Sequence, residues 1–239
     1  MICDDVGYVL HSRPYRETSQ LLTLFGYTQG RFNAVSRASR NRRSGNSLRP
    51  FVPLRLTWRG RTDLKSLSSA EPLNGGVFLA GSALYLGLYL NELLNRLLHE
   101  YEPHSDVFDL YRRTLEQLAA GVAAEPLLRQ FELGLLEALG YGLQLDIAQD
   151  TGEPLDPAAC YRFSPGEGLV TARPGDSQGF SGQALLAVAK GDWVDAETLK
   201  AAKRLTRLML DTHLGGRPLQ SRAFFREFLG SGRYGVAEE

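Results

Sequence analysis

The sequence predicts an α+β protein, with a small N-terminal β-barrel followed by a mainly α-helical region. Three observations carry this. Five short β-type runs lie within the first 72 residues, and a helical apolar period replaces them after residue 76. The charge divides at the same place. Residues 1–72 hold 12 basic and 5 acidic side chains, whereas the remaining 167 hold 15 and 22, so a neutral chain splits into +7 and −7.

The strand runs are short and amphipathic. Val6–Leu10 and Leu21–Phe25 come first, and Thr28-Gln29-Gly30 turns the chain into Arg31–Val35, where apolar and polar side chains alternate. Leu54–Trp58 alternates too, and Leu64–Leu67 is a fifth, weaker run. Ser36–Pro50 is rich in Arg, Ser and Asn without apolar period, which reads as a long, flexible, cationic loop. Five strands with one long loop match a small barrel of the OB type, although the count equally admits an SH3-like barrel.

Pro72-Leu73-Asn74-Gly75-Gly76 marks the boundary, giving domains 1–76 and 77–239. Ser82 is the expected cap of a helix carrying Leu86, Leu90, Leu93, Leu94, Leu97 and Leu98 and ending before Pro103. A second helix is expected from Ser105 to Ala120. A third starts near Pro126, a residue suited to a first turn, and stops at Gly140. Residues 144–180 lose the period among prolines and glycines and read as an irregular or hairpin insert. Helix resumes at Ser181, again from Asp195 to about Leu214, and finally over Ser221–Leu229.

Several function classes find no support. Val77–Leu90 is interrupted and too short to span a bilayer, and the acidic start Met1–Asp5 does not resemble a secretory leader. Cys3 and Cys160 do not make a disulfide framework, which fits a reducing, cytoplasmic setting. His11, His99, His104 and His213 lack metal-ligand spacing, and no phosphate-cradling motif is present. Gly140-Tyr141-Gly142 follows an apolar helix, where a left-handed glycine cap is the ordinary reason for glycine. Gly175-Asp176-Ser177-Gln178-Gly179 matches a nucleophile-elbow pattern, but Arg173-Pro174 before it and Gly179–Gly182 after it do not supply the required strand and helix. The expectation is a non-enzyme without a cofactor; a hydrolase at Ser177 is the third-ranked reading.

The cationic segment points elsewhere. Arg31, Arg37, Arg40, Arg42, Arg43, Arg49, Arg55, Arg59, Arg61 and Lys65 face a single acid, Asp63, between residues 31 and 65. Nine are arginines, whose planar fork suits phosphate. All but Arg55 are candidate nucleic-acid contacts, the alternative being a solvated face. Phe32, Phe51 and Trp58 interleave with them as stacking platforms or barrel core, with Phe32 and Trp58 expected in the core. A second basic zone comprises Lys200, Lys203, Arg204, Arg207, Arg217, Arg222 and Arg226. Its first four members share a helical stripe, and Lys203, Arg204, Arg207, Arg217 and Arg222 join the candidates.

A collinear set of segments resembles the RecO family of bacterial recombination mediators. It begins with Val9-Leu10-His11-Ser12-Arg13-Pro14-Tyr15-Arg16-Glu17-Thr18-Ser19 and continues through Gly30-Arg31, Arg37–Arg43, Leu48-Arg49-Pro50-Phe51 and Lys65–Glu71. It resumes in Leu88–Leu94, Leu128-Arg129-Gln130-Phe131-Glu132, Leu139-Gly140-Tyr141-Gly142 and Leu214–Arg222.

The resemblance implies an OB domain joined to a helical domain. It also implies DNA repair and recombination work on single- and double-stranded DNA, in a bacterial cytoplasm and at the nucleoid. Annealing of strands coated with single-strand-binding protein, and help from the partner RecR in loading RecA, are implied too. Many relatives carry a four-cysteine zinc insert after Gly-Tyr-Gly. Here only Cys160 falls in that region, so a hairpin without zinc is expected. The resemblance further implies docking of the acidic tail of single-strand-binding protein on the helical domain. Arg129 and Phe131 are the candidates for that role, the alternative being an Arg129 ion pair with Glu125 or Glu132. An RNA-binding OB module, associated with ribosome or tRNA, is the runner-up function.

Overall fold

A computed structural model of the protein describes residues 2–37 and 48–230. Two compact units emerge, one built from the chain up to Val122 together with the chain from Pro218 onward, the other from Ala123–Arg217. The change from strand to helix near residue 76 and this division into units are different boundaries. The first follows local periodicity; the second follows which elements pack together.

In the first unit β1 (Ile2–Tyr15), β2 (Ser19–Gly26), β3 (Gly30–Ser36), β4 (Leu54–Arg59) and β5 (Leu64–Pro72) close into a barrel in the order β1-β2-β3-β5-β4. All pairings are antiparallel except β3 with β5. This is the OB strand order, which settles the choice that counting strands leaves open. The first strand is longer than its apolar run suggests because it serves two partners: Ile2–Gly7 pair with β4 and Gly7–Tyr15 with β2.

Alternation decides what faces inward. Leu22, Leu24, Phe32, Ala34, Leu54 and Leu56 are fully buried in the barrel, with Val9 and Trp58 beside them. The Phe32 and Trp58 rings lie 4.7 Å apart between centroids. Their intervening neighbours Thr23, Asn33, Arg55 and Arg59 therefore point outward.

Helices α1 (Gly81–Leu97), α2 (Ser105–Ala119) and α6 (Gln220–Gly230) share this unit. The first begins one residue before Ser82, with Ala80 at the cap position and no side-chain cap, so Ser82 lies inside the first turn instead of capping it. Gly87 permits the approach of α1 to the loop preceding β4, since a Cβ there would stand 2.8 Å from the Phe51 ring. Glu92 of α1 caps α6, its carboxylate accepting from the backbone amides of Gln220 at 2.9 Å and Ser221 at 2.8 Å.

Between α1 and α2, the segment around Glu100 lies parallel to β3, with an isolated bridge between Arg31 and Glu100. The Tyr101 amide donates to the Arg31 carbonyl at 2.9 Å. Gly30 is required where this segment passes. Its φ is +72°, and a Cβ would come within 2.1 Å of the Glu102 carbonyl oxygen.

The second unit contains α3 (Ala124–Ala138), a small sheet of β6 (Cys160–Ser164), β7 (Gly168–Ala172) and β8 (Phe180–Ser181), then α4 (Gly182–Lys190) and α5 (Ala196–His213). The insert is thus a hairpin with a short third strand, in the order β7-β6-β8. Ser181 caps α4 and Asp195 caps α5. The Asp195 carboxyl sits below its ordinary range because Thr198 donates to it from both side chain and backbone.

Candidate nucleic-acid interface

The register of the barrel assembles its outer surface. Arg13 on β1 lies opposite Leu21 on β2, and Leu21 opposite Val35 on β3. Val35 in turn pairs with Ser66 on β5, and Ser66 with Arg59 on β4. Direct partners share a face, so these five residues form one row across the outside of all five strands. Arg13, Ser66 and Arg59 are exposed, while Leu21 and Val35 are half-buried. No carboxylate belongs to the row. Arg37 follows Val35 by two residues and is exposed, and Arg61 is exposed in the turn between β4 and β5.

The remaining cations of the first unit divide by what they touch. Arg49 is exposed. Arg59 reaches along β5, its Nε donating to Ser68 Oγ at 3.1 Å. Arg31 is turned inward to the chain between the helices: its Nε donates to the Leu98 carbonyl at 2.8 Å, and its Nη1 lies 3.3 Å from the Glu100 carboxylate. Lys65 donates to the Thr62 carbonyl at 2.8 Å and sits 4.8 Å from the centre of the Tyr101 ring. The Tyr101 hydroxyl donates to the Asp63 carbonyl, and burial followed by the charges of Glu100 and Asp63 raises its pKa. Arg55 stands opposite Glu71 across β4 and β5. Arg40, Arg42 and Arg43 lie outside the described residues, as does the side chain of Arg226.

The three interleaved aromatics all face the interior. Phe32, Phe51 and Trp58 retain 0%, 4% and 2% of their exposure, so none offers a ring to a base. Phe51 joins the other two because its backbone, at φ +68°, turns the ring beneath α1.

The second basic zone is divided between the units. Lys203, Arg204, Arg207 and Arg217 belong to the second and Arg222 to the first. On α5, Lys203 pairs with Glu125 at 2.7 Å. Arg204 folds over the Phe180 ring at 3.8 Å and donates to the Gly179 carbonyl, tying the insert to the helix. Lys200 and Arg207 are exposed. In the first unit, Arg222 lies 5.7 Å from the centre of the Tyr89 ring.

The helical candidates for partner binding lie inside the second unit. Phe131 is fully buried. Arg129 pairs with Glu132 one helical turn away at 2.8 Å, with side-chain exposures of 7% and 1%, and Thr206 donates to the same carboxylate. Of the two carboxylates at helical spacing, Arg129 thus pairs with Glu132, while Glu125 pairs with Lys203.

Ser177 occupies an exposed turn before the two-residue strand β8, not a strand-to-helix elbow, which removes the geometry a hydrolase reading needs. Among the described residues no three His, Cys, Asp or Glu side chains gather to hold a metal ion. The insert does not fit a zinc ion: Cys160 is its sole cysteine, and Tyr161, Leu169, Val170 and Phe180 are buried there. A cavity of about 440 Å³ between Gly140–Gln144, the hairpin turn and the end of α5 carries a stacked Tyr141–His213 pair on its wall, and burial lowers the His213 pKa. No helix among the described residues is long and apolar enough to cross a membrane.

Comparison with known proteins gives a consistent result. Residues 1–75 match the family model described as Recombination protein O N terminal, and residues 80–223 match Recombination protein O C terminal. The chain is 45% identical over 226 residues to the DNA repair protein RecO of Sodalis glossinidius (strain morsitans), covering 93% of this chain and 87% of that one. It is 43% identical to the DNA repair protein RecO of Yersinia pestis (strain Pestoides F), covering 93% and 94%. The same figures hold for the protein of that name from Yersinia pseudotuberculosis serotype O:1b (strain IP 31758).

Proposed function

The chain belongs to the RecO family of DNA repair proteins, and on that premise we propose that it is a recombination mediator whose barrel binds DNA through phosphate contacts. The single observation that carries this reading is the exposure of Arg37, Arg49, Arg59 and Arg61 around one small barrel. Arg40, Arg42 and Arg43 add to the charge of the same segment. Arginines that neutralise phosphates release condensed counterions, which supplies sequence-independent affinity. A surface doing so for two strands also screens their repulsion, and this favours annealing.

On this reading the protein anneals complementary strands coated with single-strand-binding protein and, with RecR, assists loading of RecA at the nucleoid. It acts without catalysing bond chemistry. The acidic tail of single-strand-binding protein docks on the helical region. Arg129 and Phe131 remain the proposed contacts, and their burial means that such docking has to open the α3 face.

The test is a titration of fluorescent single-stranded DNA at several salt concentrations. Each phosphate neutralised contributes about −0.7 to the slope of log affinity against log salt. A steep slope that flattens when Arg40, Arg42 and Arg43 are replaced by Glu supports the reading. A flat slope, or one unchanged by the reversal, rejects this assignment of the cationic segment.

A further inference from the structure

We propose that a nucleic-acid strand crosses the barrel along the row Arg13–Leu21–Val35–Ser66–Arg59, held by its phosphates and not by its bases. The inference rests on the DNA-binding reading above and specifies the path and the chemical part of the ligand that is recognised. It also brings in Arg13, which lies outside the cationic run of the sequence.

The row has the length and chemistry for this. Four strand spacings of about 4.8 Å make a path of about 19 Å, enough for several nucleotides. A guanidinium stands at each end, Arg13 on β1 and Arg59 on β4. Arg37, two residues beyond Val35 and just past the end of β3, is exposed. Between the ends lie two half-buried aliphatic side chains and the Ser66 hydroxyl, with no carboxylate to repel a polyanion.

None of the five residues of the row is aromatic, and the ring that flanks it, Tyr15 two residues beyond Arg13, is half-buried with the Arg16 guanidinium 5.2 Å from its centre. Phe32 and Trp58 alternate inward on β3 and β4, and Phe51 is covered. The most exposed phenylalanine of the unit, Phe78 at 86%, precedes α1, past the far end of β5 from Ser66. Residues 38–47 contain no aromatic side chain. Contacts along the row are therefore with the backbone of the strand, which every base sequence presents alike.

The experiment uses the full chain. Affinity and salt slope are measured for an oligothymidylate and for an abasic phosphodiester strand of equal length. They are measured again for Arg13→Ala, Arg59→Ala and Arg55→Ala, with circular dichroism and thermal melting confirming that each variant is folded. Equal affinity for the two strands is expected, because each stacked base lost would weaken the abasic strand by about fivefold or more. Arg13→Ala and Arg59→Ala should each reduce the slope by about 0.7, whereas Arg55→Ala, opposite Glu71 and off the row, should leave it unchanged.

A tenfold loss on the abasic strand, with oligothymidylate binding intact, overturns the base-independent mode while sparing the DNA-binding reading. An equal effect of Arg55→Ala and Arg13→Ala overturns the row. Failure of the unsubstituted protein to bind either strand overturns the underlying reading itself.

Discussion

The side-chain amide of Asn91 on α1 donates to the carbonyl of Leu10 at 3.1 Å, where β1 slips its register against β2. A bulge leaves a backbone acceptor without its ladder partner, and Asn91 supplies the donor from outside the sheet. The Tyr111 hydroxyl of α2 completes the set by donating to Asn91 Oδ1 at 2.5 Å. One buried amide thus connects the barrel with two helices.

Asn91→Leu should therefore cost more than a surface change on α1. It strands the Leu10 carbonyl and the Tyr111 hydroxyl in a buried site, a loss of about 1–3 kcal/mol per unsatisfied group. Urea unfolding of the first unit should report it. Tyr111→Phe removes one partner only and should be milder.

Gly30→Ala tests the passage of the helix connection along β3. An alanine at φ +72° is strained, and its Cβ would meet the Glu102 carbonyl. The backbone strain alone is worth about 1–3 kcal/mol. A lowered unfolding midpoint is expected, together with increased hydrogen exchange at the Tyr101 amide, which otherwise donates to Arg31.

Arg129→Ala should destabilise the second unit by about 3–5 kcal/mol, because it leaves the Glu132 carboxylate buried without its cation. Arg129→Met combined with Glu132→Leu should recover most of that loss in thermal unfolding. A tail-binding assay on the single variant is interpretable only beside that measurement.

Alkali should unfold the first unit through two tyrosines. Burial pushes the Tyr8 pKa up to about 12 and that of Tyr111 well above its ordinary value. In the unfolded chain both ionise near pH 10. Stability is thus fully present below about pH 10 and falls as pH rises through about 12. Circular dichroism against pH should show this fall, and Tyr8→Phe should reduce it.

Trp58 emission should be indifferent to DNA. Trp58 is 2% exposed inside the barrel, and Trp193 belongs to the other unit, before α5. Trp58 does not lie on the proposed strand path. Strong quenching of Trp58 in a Trp193→Phe background would place bases against the barrel interior and contradict the phosphate-only mode.

Strand and helix were legible in the chain because periodicity is a local property. Alternation in Arg31–Val35 and Leu54–Trp58 marked strands, and the spacing of leucines after residue 81 marked helices. The charge asymmetry was legible for the same reason, since formal charge needs no partner. The OB strand order required the parallel pairing of β3 with β5, a contact between distant segments that no local pattern encodes.

Side-chain fate depended on those distant partners. Arg31 and Lys65 belong to the same cationic run as Arg37 and Arg61, yet the connection between α1 and α2 engages the first pair. Lys203 and Arg204 are likewise engaged, by Glu125 and Phe180. Arg13 stands 46 residues before Arg59, and only strand register sets them on one row. By itself the sequence determined where charge and amphipathic elements lie, because both are written residue by residue. The tertiary structure alone decided which cations face solvent and which meet across the sheet, because closing the barrel selects each side chain's neighbours.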